Sequence, residues 1–163
     1  MDSQNNVNKF IARLKSPFWR NLFYLKSLPL AFFTNLSVDS LTEEDAVVTI
    51  PYKWLNKNPF KSMYFGVQAM AGELSTGLLV MLHLQKATKP VSMLVIDFQG
   101  KFTKKSAERI FFTCEDGKAI ETAIKQTIET GEGIVLTTKS IGRTADGTQV
   151  SAFNVVWSLK RKG

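Results

Sequence analysis

The chain is 163 residues long, which fits one domain and is short for two. Apolar residues make up 44% and charged residues 21%, a globular balance that excludes a disordered chain or a fibrous repeat. Twenty-one Lys and Arg against fourteen Asp and Glu leave a net charge of +7, which favours polyanionic partners, although no nucleic-acid-binding motif accompanies it and none is expected to bind. The opening residues, MDSQNN, lack the basic and then apolar pattern of a secretory signal. The longest apolar run, 77–84, contains His83 and is well short of the roughly 18 residues of a membrane span. With Cys114 as the one cysteine, no intrachain disulfide can form. Together these features lead to the expectation of a soluble, cytoplasmic protein with no stable membrane insertion.

Residues 1–30 carry much of the positive charge: Lys9, Arg13, Lys15, Arg20 and Lys26 stand against Asp2. In the same stretch Val7, Phe10, Ile11, Leu14, Phe18, Leu22 and Leu25 recur at three- and four-residue steps, the spacing of an amphipathic helix. Ser16 before Pro17 reads as an N-cap with proline at the first helical position, so two helices are expected with a break near residue 16. The commoner use of such a stripe is to cover the protein's own core, and that is the expectation here, with a membrane-surface role as the lesser alternative. Residues 1–28 would form a helical extension to a single domain spanning 1–163.

After Pro29 the period changes. Residues 33–40 and 46–55 are rich in Val, Ile, Thr and aromatics with the polar turn TEED between them, which predicts an antiparallel strand pair. NKNPF is a loop signal, and residues 63–85 then read as a long helix without proline. Its first half is crowded with Gly66, Ala69, Ala71, Gly72, Ser75, Thr76 and Gly77. Glycine costs a helix about 1 kcal/mol relative to alanine, so close packing against the backbone is the expected compensation. A helix apolar nearly all round points to a central helix wrapped by a sheet. Strands are expected over 91–104 and 109–115, a short helix over 118–130 stopped by Gly131 and Gly133, and a hairpin of 134–144 and 149–160 turning at Asp146 and Gly147. The sum is an α+β fold of about six strands around one buried helix.

Glu73 breaks the apolar character of that helix. An unpartnered carboxylate in apolar surroundings changes its protonation, which makes the position a candidate for chemistry as well as for a solvated or lysine-paired helix residue. Gly66, Met70, Glu73 and Gly77 share one stripe, with Gly66 on the first turn about 10 Å before Glu73, where free N–H groups and the positive dipole end attract an oxyanion. No cluster of metal-ligating residues and no phosphate-binding glycine loop is present in the sequence.

The stretch Asn58–Gly77, NPFKSMYFGVQAMAGELSTG, resembles the hotdog-fold acyl-CoA thioesterases, whose signature is an Asn, five residues, His-Gly-Gly, six residues, then Asp or Glu. Here that becomes Asn58, five residues, Tyr64-Phe65-Gly66, six residues and Glu73. FWRNLFYLKSLPLAFF and DAVVTIPYKWLNKNP are similar to an uncharacterised thioesterase-like branch of that superfamily. The resemblance implies an antiparallel sheet wrapped around a central helix, and hydrolysis of an acyl-CoA thioester with Glu73 as general base or nucleophile. It further implies the N–H of Phe65 as oxyanion donor, Gly66 allowing close approach, and Asn58 orienting water or substrate. Tyr64, Met70 and Thr76 fall at substrate-binding positions, Lys101, Lys104 and Lys105 would meet the phosphates of coenzyme A carried as part of the substrate, and no separate cofactor is needed. Family members are dimers or tetramers with sites between subunits. Tyr64 and Phe65 stand where the family has His and Gly, so an acyl-binding protein without hydrolysis is the alternative. A hydratase of the same fold needs a His beside the acid, but His83 lies about 15 Å further along the helix.

Overall fold

The computed structural model describes residues 2–163. In chain order the elements are α1 (Asp2–Lys15), α2 (Pro17–Ser27), α3 (Pro29–Phe33), β1 (Ser37–Leu41), β2 (Ala46–Ile50), a 3₁₀ turn at Trp54–Asn56, α4 (Phe65–Leu84), β3 (Val91–Phe102), β4 (Ile110–Cys114), α5 (Gly117–Thr130), β5 (Ile134–Arg143) and β6 (Gln149–Arg161). All six strands join one antiparallel sheet in the order β1-β2-β4-β5-β6-β3. The central helix α4 packs against β2, β3, β4, β5 and β6, so the sheet curves around it, and α5 covers its flank.

The small residues of α4 sit where its backbone meets the sheet. A Cβ added at Gly72 would lie 2.4 Å from the Phe153 ring of β6, and that ring is itself fixed among Phe98, Phe102 and Phe112, with centroids 5.2, 5.5 and 5.9 Å away. Polar side chains on the same side of the helix pin it in register. Ser75 and Ser140 share a 2.8 Å hydrogen bond, Ser151 donates to the Gln68 side chain at 2.9 Å, and Trp157 Nε1 donates to the Thr76 hydroxyl at 3.2 Å. Each satisfies a group that burial would otherwise leave costly.

Three sequence expectations are corrected. The stretch 33–40 is not strand throughout: Pro29 starts a helical turn that ends at Phe33, and pairing begins at Ser37. The second strand stops at Ile50 rather than residue 55, because Pro51 has no N–H to donate to the ladder. The N-terminal stripe covers the core only in its first half. Val7 and Leu14 are buried, but Phe18, Leu22 and Leu25 face water, and Tyr24 is the residue α2 turns inward. Pro17 ends one helix and starts another, so the phase set by α1 does not continue into α2.

Gly72→Ala tests the helix-to-sheet contact. The substitution gains about 1 kcal/mol of helix propensity, while forcing a methyl into a fixed aromatic cluster costs roughly 1–3 kcal/mol. The expected outcome is a lower urea midpoint with an unchanged slope.

Candidate active site

Two of the clefts beside α4 take in candidate site residues. The first lies at its start. Tyr64 is extended, with φ −63° and ψ 133°, and no side chain caps the helix, so the N–H groups of Phe65, Gly66 and Val67 have no intrahelical partner and sit at the positive dipole end. Asn58 organises the loop in front of them. Its carboxamide oxygen accepts from the Phe60 N–H at 3.0 Å and from the N–H and hydroxyl of Ser62, each at 3.2 Å. Its Nδ2 donates to the Met63 carbonyl at 3.5 Å, which leaves one N–H of that group able to reach a ligand. The Met63 N–H donates to the Ser106 carbonyl at 2.7 Å, tying this loop to the one after β3. Between the two loops is a cleft of about 350 Å³ whose walls include Asn58, Phe65, Gln68, Phe102, Lys104 and Lys105. The Lys105 ammonium stands 6.0 Å from the Phe60 ring centroid. Lys101, exposed on β3, does not line the cleft. The exposed Tyr64 ring folds over the first helical turn, where a Cβ at Gly66 would lie 2.5 Å from it.

The second cleft lies along the flank. Glu73 is half-buried and, among the described residues, forms no ion pair or side-chain hydrogen bond. Burial pushes its carboxyl above the ordinary glutamate range. One carboxylate oxygen lies over Gly77, 3.4 Å from where a Cβ would stand, and the Trp157 ring is equally close to that point. The groove, about 430 Å³, is walled by Phe23, Leu28, Met81, Met93, Leu94 and Trp157, and a smaller recess formed by Pro29, Leu30, Ala31 and Met70 shares Glu73 and Leu74 with it. Met70, Glu73 and Gly77 therefore do line one side. Thr76 does not: it is fully buried, its hydroxyl donating to the Glu73 carbonyl and accepting from Trp157.

Phe65 and Glu73 are eight positions apart, about 12 Å along the helix axis, and the carboxylate is turned towards Gly77, away from the helix start. In one chain the free amides and the carboxylate thus belong to separate clefts. His83 joins neither. It is buried, its Nε2 lies 2.9 Å from the Glu43 carbonyl, to which Nε2–H donates, and burial lowers its pKa. Cys114 is a core residue whose thiol is pushed up to about 12 by burial, which leaves it without nucleophilic thiolate. Among the described residues no three His, Cys, Asp or Glu side chains gather.

This fold recurs in known structures. One is a Shewanella oneidensis protein described as a candidate thioesterase, with a TM-score of 0.74 at 14% identity, covering 93% of this chain and 97% of that one. The chain has the hotdog fold. A thioesterase of Haemophilus influenzae is similar at a TM-score of 0.65 and 13% identity over 91% of this chain and 95% of its own. A variant of a Staphylococcus aureus thioesterase enzyme is similar at 0.63 and 16% identity over 81% and 98%. No family model and no curated protein matches the sequence significantly. The resemblance of the Asn58–Gly77 stretch to thioesterase-like hotdog proteins therefore holds at the level of the fold.

Sequence reading did not find Gln68, Phe102, Trp157 or the 27–31 cover over Glu73. Gln68 carries no spacing signal, alternation with Val155 and Leu159 marks Trp157 only as part of one strand face, and the cover depends on where α2 docks.

Folding favours protonated Glu73, because its pKa is higher in the folded chain than in the unfolded one. The associated stability is fully present below the ordinary glutamate range and is lost as pH rises through the folded value. Glu73→Gln is therefore expected to melt above wild type at neutral pH, with the two midpoints converging on acidification. A lower melting point for the variant at neutral pH would reveal a stabilising partner for the carboxylate.

Proposed function

We propose that this hotdog protein hydrolyses a thioester of the acyl-CoA class, with Glu73 as general base on water or as nucleophile. The observation that carries the reading is a half-buried carboxylate without a partner, its pKa raised by burial, on the wall of an apolar groove. A base poised nearer neutrality is suited to activating water, and an apolar groove suits an acyl chain. The similarity to thioesterases of the same fold supports the substrate class. In the first cleft, Lys104 and Lys105 beside Phe60 and Phe65 suit a nucleotide carrying phosphates, with coenzyme A entering as part of the substrate and no separate cofactor. Phe65 N–H, with Gly66 beside it, would hold the developing oxyanion.

A reacting carbonyl must lie about 3 Å from both its oxyanion donor and its attacking group. The 12 Å spacing on one helix means that two copies would have to complete each site, the carboxylate from one protomer and the helix tip from its partner. The edge strand β3, twelve residues long with Leu94 and Ile96 exposed, is the surface suited to pair with a second copy. The second reading, acyl binding without hydrolysis, is favoured by one feature, the Tyr64 ring folded over the turn where a thioester would meet backbone.

Phe65→Pro separates these readings cleanly. Phe65 is the first residue of α4 and Tyr64 already has the extended conformation that proline demands of its predecessor, so the N–H is removed while the helix stays intact. Its kcat is expected to fall about a hundred- to a thousandfold, and that of Glu73→Gln about a hundred- to ten-thousandfold with little change in KM. Mixing and reassembling the two variants should restore about a quarter of wild-type sites, because half of the dimers are mixed and each holds one intact site. Saturable acyl-CoA binding with no turnover by wild type would instead establish the second reading. Lys104→Ala with Lys105→Ala should raise KM for acyl-CoA and leave unchanged the KM for a short thioester that lacks the nucleotide.

A further inference from the structure

The N-terminal helices present an apolar face that nothing in the fold covers. Phe18 is 70% exposed, Trp19 54% and Leu30 68%, and Leu22, Leu25 and Phe33 are also exposed. Between α1 and α2 runs a groove of about 660 Å³, walled by Phe10, Leu14, Trp19, Leu22 and Phe23 and flanked by Arg13 and Lys26. Lys9 and Lys15 are exposed nearby, and no acidic residue occurs between Asp2 and Asp39. A contiguous apolar surface of this kind marks a docking site, and its flanking charge is of one sign.

We propose that α1 and α2 dock this face on an anionic lipid bilayer, lying in the interface with Trp19, Leu22 and Leu25 among the acyl chains and Arg13, Lys15 and Lys26 at the headgroups. Basic residues, tryptophan and leucine on a helix are the chemistry of interfacial binding, apolar burial supplying affinity and the cations selecting negative lipid. A second copy fits the face poorly. A twofold contact sets the same patch against itself, so this basic patch would face its own copy with no carboxylate among the residues lining the groove to offset it. Docking would also set the Glu73 groove near the bilayer, since Phe23, Leu28 and Leu30 wall that groove and its recess and belong to the same helical segment. The docking does not depend on hydrolysis, and its test uses no turnover.

The full chain is sedimented with vesicles of phosphatidylcholine alone and of phosphatidylcholine with phosphatidylglycerol. In a Trp54→Phe background the change in emission on adding vesicles reports Trp19, because Trp157 is buried and contributes a constant blue background. Expected are co-sedimentation and a blue shift with anionic vesicles only, weakening at high salt. Arg13→Glu with Lys26→Glu, and separately Leu22→Ser with Leu25→Ser, should each lower partitioning about tenfold or more while circular dichroism stays unchanged. No binding to anionic vesicles overturns the proposal. So does a loss of oligomeric mass in the Leu22→Ser, Leu25→Ser variant by light scattering, which would assign the face to a contact between copies.

Discussion

The architecture depends on how closely α4 can approach the sheet, and Gly72 sets that distance. With no side chain at this position the helix backbone rests on the Phe153 ring, which Phe98, Phe102 and Phe112 hold in place. Each further residue turns the helix by about 100°. Because residue 72 faces the sheet, residue 73 is carried to the flank, where the α2–α3 segment lies. The small-residue stripe and the position of the carboxylate are thus one constraint: a bulkier residue at 72 would push the helix outward and re-aim its neighbour.

The electrostatic consequence follows from what surrounds Glu73. Its groove is walled by phenylalanine, leucine, methionine and tryptophan, and the covering segment contains no carboxylate and no cation in contact with it. Burial is accordingly the whole cause of the raised pKa, with no like charge contributing. A shift caused by desolvation responds to whatever fills the groove: an apolar ligand that displaces the remaining water raises it further, whereas a cation would reverse it. The group is therefore sensitive to occupancy in a way that a carboxylate held by a lysine, such as Glu43 with Lys86, is not.

Much of this was legible in the residues. Apolar periodicity located α1 and α5, a long apolar stretch without proline after a loop signal located α4, and alternation with turn residues located the β5–β6 hairpin, because in these segments local pattern and tertiary burial agree. Gly131, with φ +78°, and Gly147, with φ +86°, occupy the left-handed positions their turns require. The departures arise where a single proline outweighs the pattern. Pro29 turns an apparent strand into helix, Pro51 truncates the next strand, and Pro17 resets the phase so that Phe18, Leu22 and Leu25 leave the core. At the site, the stripe of Met70, Glu73 and Gly77 was legible from helical spacing. The interior position of Thr76, and the closing of the groove by residues 27–31, were not, since both depend on contacts made by distant strands and helices.

One rigid helix carries both halves of the candidate chemistry, and rigidity is what its sheet-facing hydrogen bonds supply. Gln68 to Ser151 near the helix start, and Ser75 to Ser140 with Thr76 to Trp157 two turns further on, fix α4 at two levels between its free amides and its far end. A slip of one turn would break all three at once and leave buried polar groups unpaired, each at a cost of about 1–3 kcal/mol. The spacing from helix tip to carboxylate is thereby held constant. If two copies complete each site, that spacing becomes the distance between two sites in the pair, and any displacement of α4 would misalign both together.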